Sequence, residues 1–278
     1  MTAASSTAAD ASTPAYIDPT KASIARVYDT ALGGKDNYEV DRAVVAKLKV
    51  VAPEIEQFTV DHRAFLIRAT RFLAAQAGID QFLDCGSGLP TAENTHQAAQ
   101  RVHPGARVSY VDNDPTVVAH GRALLEENEL TQFTSADIFD PRQVLENESI
   151  RAFLASSRPI ALFQMGTFHH YVGEPSPQEI MRQYVDALPS GSYVGLSHFL
   201  DPEDDDSALA RRMEDVFVHS PLGSGVFRTR SEIEGMFPGL DMIGPGLVRC
   251  VDWWPDGPHL APLLSAQRCI AGGVGLKA

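Results

Sequence analysis

A short glycine-containing turn stands between two acidic strand ends in the first half of the chain. The segment Phe82–Pro90 reads Phe-Leu-Asp-Cys-Gly-Ser-Gly-Leu-Pro, and Tyr110-Val111-Asp112 follows after a gap of helical length. The two glycines let the backbone approach a ligand closely, because no Cβ intervenes. The carboxylate of Asp112 could accept hydrogen bonds from both hydroxyls of a ribose. This order of residues predicts a nucleotide-type pocket on a parallel sheet.

The loop pattern favours one cofactor over another. Asp84, Gly86, Gly88 and Pro90 form Asp-x-Gly-x-Gly-x-Pro, which lacks the third glycine of the dinucleotide pattern. An acid ahead of the glycines, without that third glycine, indicates S-adenosyl-L-methionine (SAM) rather than NAD, since SAM has no pyrophosphate to accommodate. We therefore predict Asp84, Gly86, Gly88 and Asp112 as cofactor contacts. A strand-to-helix turn that binds no ligand is the alternative.

Further cofactor contacts are predicted at the ends of the neighbouring strands. Asn113 follows Asp112, and Gln164 ends the fourth predicted strand. Asp137, at the end of the third strand, could accept the adenine amino group while Ile138 covers the ring. A solvated loop acid is an equal alternative for Asp137.

Three histidines are candidates for a catalytic base. His169 and His170 follow the fourth strand, and His198 ends the fifth. Histidine titrates near neutrality and can take a proton from a hydroxyl or amine. Adjacent histidines point in different directions, and no nearby acid or cysteine completes a ligand set, so we predict no metal. Packing is the alternative role for each histidine.

The segment 33–38, Gly-Gly-Lys-Asp-Asn-Tyr, has the composition of a functional loop. Two glycines permit unusual backbone angles, and a polar and aromatic cluster follows. We predict a lid over the cofactor, with Gly34, Asn37 and Tyr38 in contact with it. An ordinary turn between two helices is the alternative.

Composition limits the class of partner. The 278 residues carry a net charge of −13, and no lysine or arginine cluster stands out. Nucleic-acid binders usually present a basic face, so we predict a small-molecule substrate and no nucleic acid. Three cysteines without metal spacing, no membrane-length apolar run and no signal peptide predict a cytoplasmic protein without membrane contact. The oligomeric state is not predicted.

The order of elements predicts an α/β fold. Residues 1–15 have the composition of a disordered tail, and three helices over 16–78 form a predicted cap. Residues 79–278 alternate strand and helix five times, which implies a parallel sheet with right-handed crossovers. The strand-like runs Leu247–Trp254 and Gln267–Gly275 then predict an antiparallel hairpin. The expected architecture is a Rossmann-like, mostly parallel sheet of seven strands that ends in this hairpin.

Several motifs together resemble one family: Ala25-Arg26-Val27-Tyr28, Leu32 to Tyr38, Asp84 to Thr91, Asn94-Thr95-His96, Tyr110 to Pro115, Leu196-Ser197-His198 and Pro245-Gly246-Leu247-Val248. The combination resembles the actinobacterial-type S-adenosyl methyltransferase family, long listed as a domain of unknown function, from about residue 17 onward. The resemblance implies the class I methyltransferase fold and SAM binding, and it leaves the acceptor undefined.

The resulting prediction is a SAM-dependent methyltransferase that acts on a small molecule. One alternative is a catalytically silent SAM-binding protein with a regulatory or interaction role. An NAD-linked dehydrogenase is a second alternative, which the missing third glycine and the terminal hairpin disfavour.

Overall fold

Eight strands form one sheet in the computed structural model, which describes residues 17–90, 93–124 and 129–278. The strands are β1 Gln81–Cys85, β2 Arg107–Asp112, β3 Thr131–Ser135, β4 Ala161–Met165, β5 Tyr193–Phe199, β6 Asp241–Met242, β7 Val248–Arg249 and β8 Ile270–Leu276. The order is β3-β2-β1-β4-β5-β8-β6, and β7 also pairs with β8. The predicted tail at 1–15 lies outside the described residues.

The first five strands run parallel, and β8 is antiparallel to β5, β6 and β7. The predicted fold class is confirmed, but the strand count of seven is wrong. The extra strand, β6, has only two residues, too few for a period-2 pattern in the sequence. The run Leu247–Trp254 is extended only in β7, because a 3₁₀ turn at Cys250–Asp252 follows directly.

Ten α-helices lie in the described ranges: α1 Ile24–Ala31, α2 Glu39–Val51, α3 Ile55–Ala75, α4 Thr95–Val102, α5 Pro115–Leu124, α6 Pro141–Leu145, α7 Glu148–Leu154, α8 Pro177–Ala187, α9 Ser207–Val218 and α10 Arg230–Glu234. Helices α6 and α7 replace the single helix that the sequence suggests there. Asn147 interrupts it, because its side chain accepts from the Ser149 N–H and caps a new helix. No helix among these is both long and apolar enough to cross a bilayer.

Side chains from alternate strand positions build two separate cores. Phe82 and Phe163 pack on one face with α2, α3 and α9, whereas Leu83 and Leu162 pack on the other with α7 and α8. This alternation follows from the two-residue repeat of a strand. The sheet is therefore covered on both faces, and its carboxyl edge is where parallel strand ends can present polar groups.

A buried ion pair fastens the first two helices to the sheet domain. The Arg26 Nε atom donates to Asp41 Oδ2 at 2.8 Å, and the Asp41 side chain is fully buried. Asp41 also accepts from the backbone N–H groups of Ser23 and Tyr38. Arg26 Nη1 donates to the Thr116 hydroxyl in α5, at 3.0 Å. The pair thus joins α1, α2 and α5 in one network.

The buried pair predicts a large effect on stability. We expect Asp41→Asn to lower the free energy of unfolding by roughly 3–5 kcal/mol, because it leaves the Arg26 guanidinium buried without its counter-charge. Urea unfolding measures the change. Replacing both partners, Arg26→Met with Asp41→Leu, should cost less than the single substitution.

The matched control is the exposed pair of Lys49 and Glu56. Glu56→Gln should change stability by less than about 1 kcal/mol, as solvent screens exposed pairs. An equally small loss in Asp41→Asn would show that the buried pair does not fasten the cap.

Candidate functional site

A cavity of about 530 Å³ lies at the carboxyl edge of the sheet, below α1 and α3. This volume falls within the range of small-molecule sites. Most predicted cofactor contacts line it: Asp84, Gly86, Gly88, Asp112, Asn113, Asp137 and Ile138. The ends of β1, β2 and β3 are brought together, as the parallel topology requires.

The carboxylate of Asp112 fastens the glycine loop to β2. Its Oδ2 atom accepts from the Gly88 N–H at 3.0 Å, and its Oδ1 atom accepts from the Asp114 N–H at 2.9 Å. A carboxylate has about four lone-pair positions, so part of its capacity to accept remains for a ligand. Burial raises the pKa of Asp112 to about 6, and hydrogen bonds from the backbone N–H groups of Asp114, Gly88 and Asn113 oppose that rise.

Gly86 occupies a position that a larger residue cannot take. Its φ is +74°, and a Cβ there would lie 2.4 Å from Thr167 Cγ2 and 3.0 Å from Ile138 Cδ1. The residues after β1, β3 and β4 therefore meet at this glycine. At Gly88, by contrast, no described atom lies within 4 Å of the Cβ position. The loop is packed at its first glycine and open at its second.

Two polar groups beside the loop were not predicted from the sequence. Arg63 on α3 lines the cavity, and its Nη2 donates to the Glu93 carbonyl at 2.5 Å. The buried Nε of Arg63 and the buried Oγ of Ser87 have no hydrogen-bond partner in the described part of the chain. Asp84 is buried and accepts from the Thr95 hydroxyl at 2.6 Å, and burial raises the pKa of its carboxyl. This set of polar groups fits a polar ligand.

Gln164 is outside the cavity wall, contrary to its predicted cofactor contact. The side chain is fully buried, and its Oε1 accepts from the Thr167 hydroxyl at 2.9 Å. The wall is formed instead by Met165, Gly166 and Thr167. Gln164 thus supports the wall through Thr167, and its buried Nε2 has no hydrogen-bond partner in the described residues.

Gly34, Asn37 and Tyr38 also lie outside the wall, and their contact with the cofactor stays a prediction. The Asp29 carboxylate binds this segment from below, accepting from Asp36 N and Asn37 Nδ2 at 3.0 and 2.9 Å. A Cβ on Gly34 would lie 1.9 Å from Asp29 Oδ1, which explains the glycine without a ligand. The Tyr38 ring stacks on the Arg26 guanidinium, 5.1 Å away.

The three candidate histidines have different environments. His169 and His170 line the cavity, and His170 Nδ1 lies 3.0 Å from the Ser224 hydroxyl. His198 does not line it. The His198 Nδ1 atom donates to the Phe199 carbonyl, and its Nε2 accepts from Arg228 Nη1 at 2.7 Å. Its lone pair is occupied by the Arg228 guanidinium, so this structure gives no support to His198 as a base.

A fourth histidine, His62, is an unpredicted part of the wall. Its Nε2 atom lies 2.6 Å from the Ser197 hydroxyl, and its Nδ1 lies 3.0 Å from the Tyr28 hydroxyl, which also lines the cavity. The sequence signal was available: Phe58, His62 and Leu66 follow one another at four-residue spacing, and all three line the cavity. His62 therefore lies within an apolar stripe of α3, on the face of the helix that lines the cavity.

No cluster of three or more potential metal ligands occurs within residues 17–90, 93–124 and 129–278.

The buried histidines predict a stability that falls on mild acidification. Burial lowers the pKa values of His62 and His198 to about 3 and of His170 to about 4. The unfolded chain binds protons at these groups below pH 6.5 and the native state does not, so stability is lost as pH falls below 6.5. The raised pKa values of the Asp84 and Asp112 carboxyls favour the native state at low pH and so oppose this loss of stability. These two groups offset only part of the loss that the histidines cause.

A single substitution isolates one of these protons. Between pH 7.5 and pH 5, His198→Gln should lose about 2 kcal/mol less unfolding free energy than the wild type, since pH 5 lies about 1.5 units below the unfolded-state pKa of histidine and each unit corresponds to about 1.36 kcal/mol. Urea unfolding at both pH values gives the difference. Equal losses in the two proteins would contradict a neutral His198.

Solved structures show the same architecture. A candidate methyltransferase from Thermobifida fusca is 39% identical, with 93% of this chain and 96% of that chain covered and a TM-score of 0.87. A DUF574 family protein from Streptomyces avermitilis is 32% identical, with 93% and 98% covered and a TM-score of 0.86. OxaC, in complex with SAH and oxaline, shares only the fold, at 14% identity, coverage of 85% and 52%, and a TM-score of 0.51. A comparison with curated proteins gave no match.

A sequence model of one family matches nearly the whole chain. The model, described as S-adenosyl methyltransferase, matches residues 10–278. This match agrees with the resemblance seen in the motifs and with SAM as the cofactor. The chain belongs to the S-adenosyl methyltransferase family.

Proposed function

We propose that the protein transfers a methyl group from SAM to a small molecule bound in the same cavity. One observation carries this proposal: the cavity runs from the acidic strand ends to a separate apolar region under α1, α3 and α9. Asp84, Asp112 and Asp137 line the first part, and Phe58, Phe199 and Phe217 line the second. A single continuous space with two chemically different ends suits a cofactor and an acceptor.

The acidic part has the groups that a nucleoside cation needs. The free lone-pair positions of Asp112 suit the ribose hydroxyls, and Asp137 with Ile138 suits the adenine. Asp84 and the orphaned Arg63 Nε suit the amino and carboxylate groups of the methionine end. Asn113 stands beside Asp112 in the wall. The excess of carboxylates matches the positive charge of a sulfonium.

SAM supplies a methyl group on a positively charged sulfur, which is already a good leaving group. The protein therefore contributes mainly position and exclusion of water. Gly86, Thr167 and Ile138 pack together at the strand ends and fix the floor of the cavity. Tyr28 and His62 close it from α1 and α3. No observation on the described residues favours the silent-binding alternative.

The ribose assignment predicts the effect of one substitution. Asp112→Ala should weaken SAM binding by roughly 1.5–3 kcal/mol, because hydrogen bonds to a charged group are lost. Isothermal titration with SAM and with S-adenosylhomocysteine (SAH) measures the change. Asp186→Ala, at an exposed position of α8 outside the cavity wall, is the matched control and should bind SAM and SAH within about twofold of wild type. Unchanged affinity in Asp112→Ala would mean that another carboxylate holds the ribose.

The pKa of the same carboxyl predicts a pH dependence. Asp112 is ionised above its pKa of about 6 and accepts hydrogen bonds best there. We expect SAH affinity to be constant between pH 7 and 8 and to fall as pH drops below 6, where the carboxyl becomes protonated. Titrations from pH 5 to 8 test this. In Asp112→Asn the decline should be absent, and a decline of equal size in that variant would assign it to another group.

A further inference from the structure

We propose that the acceptor is a neutral aromatic molecule with a ring hydroxyl, whose ring packs among Phe58, Phe199 and Phe217 and whose hydroxyl hydrogen-bonds His169. The inference rests on the proposed methyl transfer and names the substrate class for the same cavity. Three independent features of the apolar end support it: the arrangement of its rings, the absence of net charge on its polar groups, and one imidazole nitrogen without a partner.

The rings at this end form a continuous set around Phe199. The Phe199 ring lies 5.2 Å from that of Phe217 and 5.6 Å from that of Phe58, between ring centroids. On Phe199, the His169 imidazole stacks at 3.4 Å with an angle of 9° between the planes. All four line the cavity. An aromatic wall of this kind favours an aromatic ligand, since aromatic pairs gain energy beyond their buried area.

The polar side chains at this end are uncharged. Burial lowers the pKa values of His62 and His170 to about 3 and about 4. The pKa of His169 is lowered well below its usual value by burial and by neighbouring His170. Burial raises the pKa of the Tyr28 phenol, which stays protonated. A charged acceptor would lose its hydration among these uncharged side chains, so a neutral one is favoured.

The carboxylates of the wall belong to the other end. Asp84, Asp112 and Asp137 lie at the ends of β1, β2 and β3. Beside the larger effect of burial, the Arg63 guanidinium acts to lower the pKa values of Asp84, His62 and Tyr28, so it lies between the two ends. Its Nη2 already donates to the Glu93 carbonyl. The cavity therefore separates an acidic half, suited to the cofactor, from a half whose histidines and tyrosine are neutral.

His169 is the one cavity histidine whose Nδ1 has no partner among the described residues. That atom is buried, and an unpaired buried nitrogen costs free energy unless a ligand satisfies it. His62 and His170 already use Nδ1, with Tyr28 and Ser224. His62 and His169 both lie next to Gly166, where a Cβ would be 2.7 Å and 3.4 Å from their Cε1 atoms. Gly166 directly follows β4, so His169 lies where β4 meets the cavity.

The transfer balances with His169 as the proton acceptor. The methyl carbon leaves the sulfur, which keeps the bonding electron pair, and the acceptor oxygen forms the new carbon–oxygen bond. The hydroxyl proton passes to His169 Nδ1. One positive charge is present before and after the step, on the sulfonium first and on the imidazolium afterwards. The products are SAH and an aryl methyl ether, and the imidazolium then releases its proton to water.

Binding measurements test the acceptor class separately from the cofactor. With SAH present, the probes are 2-naphthol, 4-phenylphenol, 2-naphthoate, 2-naphthylmethylammonium and cyclohexanol, titrated by calorimetry. We expect both neutral ring hydroxyls to bind at least roughly tenfold more tightly than the anion, the cation and the aliphatic alcohol.

Phe58→Leu and Phe217→Leu should each weaken 2-naphthol binding by roughly tenfold while SAH affinity stays within about twofold. Phe72→Leu is the matched control. It lies on α3 with Phe58 but outside this cavity, and it should bind both ligands as the wild type does. SAH binding with no preference for neutral ring hydroxyls overturns the inference and leaves the proposed function intact. Absence of SAH binding overturns both.

The role of His169 has its own test. His169→Phe keeps a flat ring against Phe199 and removes the proton acceptor. We expect it to bind 2-naphthol within about threefold of wild type but to methylate it at least about 100-fold more slowly, the effect of losing a general base. Formation of 2-methoxynaphthalene is followed by mass spectrometry. A variant that methylates at the wild-type rate would remove His169 from the proposal.

Discussion

The buried ion pair of Arg26 and Asp41 is the interaction on which the α1 wall of the cavity depends. The sheet alone presents its polar strand ends at an open edge. The pair holds α1 and α2 against α5, and the Ser23 hydroxyl adds a bond to Asp114 close to the ligand side of β2. With α1 held there, Tyr28 reaches His62 and the apolar end gains its upper wall. The two buried charges thus position one wall of the cavity.

The site combines a rigid floor with polar groups that are incompletely satisfied. Gly86, Thr167 and Ile138 leave no space between the ends of three strands, so the floor cannot shift without a clash. Beside this packed point, Ser87, Arg63 and His169 each keep a buried polar atom without a partner in the described residues. A buried polar atom without a partner lowers the stability of the folded protein, whereas a ligand that hydrogen-bonds to that atom removes the cost. A preformed floor and unpaired polar atoms together indicate a site built for binding.

Local sequence information was enough to predict the residues at the strand ends. It was not enough to predict contacts between residues that are far apart in the chain. The Asp84 to Pro90 loop and Asp112 were predictable, because the turn and the acidic strand end are encoded within a few residues. The contacts of the Gly33 to Tyr38 segment were not predictable, because composition does not reveal that the Asp29 carboxylate, seven residues before Asp36, accepts from this segment. At the strand ends, the contact of His198 with Arg228 and that of Gln164 with Thr167 were likewise not predicted. Family membership, in turn, identifies the cofactor but not the acceptor.

The contacts of His62 tie together three segments that are remote in the chain. Tyr28 on α1 and Ser197 on β5 meet the two nitrogens of one neutral imidazole. Such a ring offers one donor and one acceptor, so the orientation of each hydroxyl fixes that of the other. Replacement of any one member leaves a buried nitrogen or hydroxyl unsatisfied. The effects of substitutions at these three positions should therefore depend on one another. Sequences that diverge from this one should replace all three residues together, and few combinations with only one or two of them replaced should be tolerated.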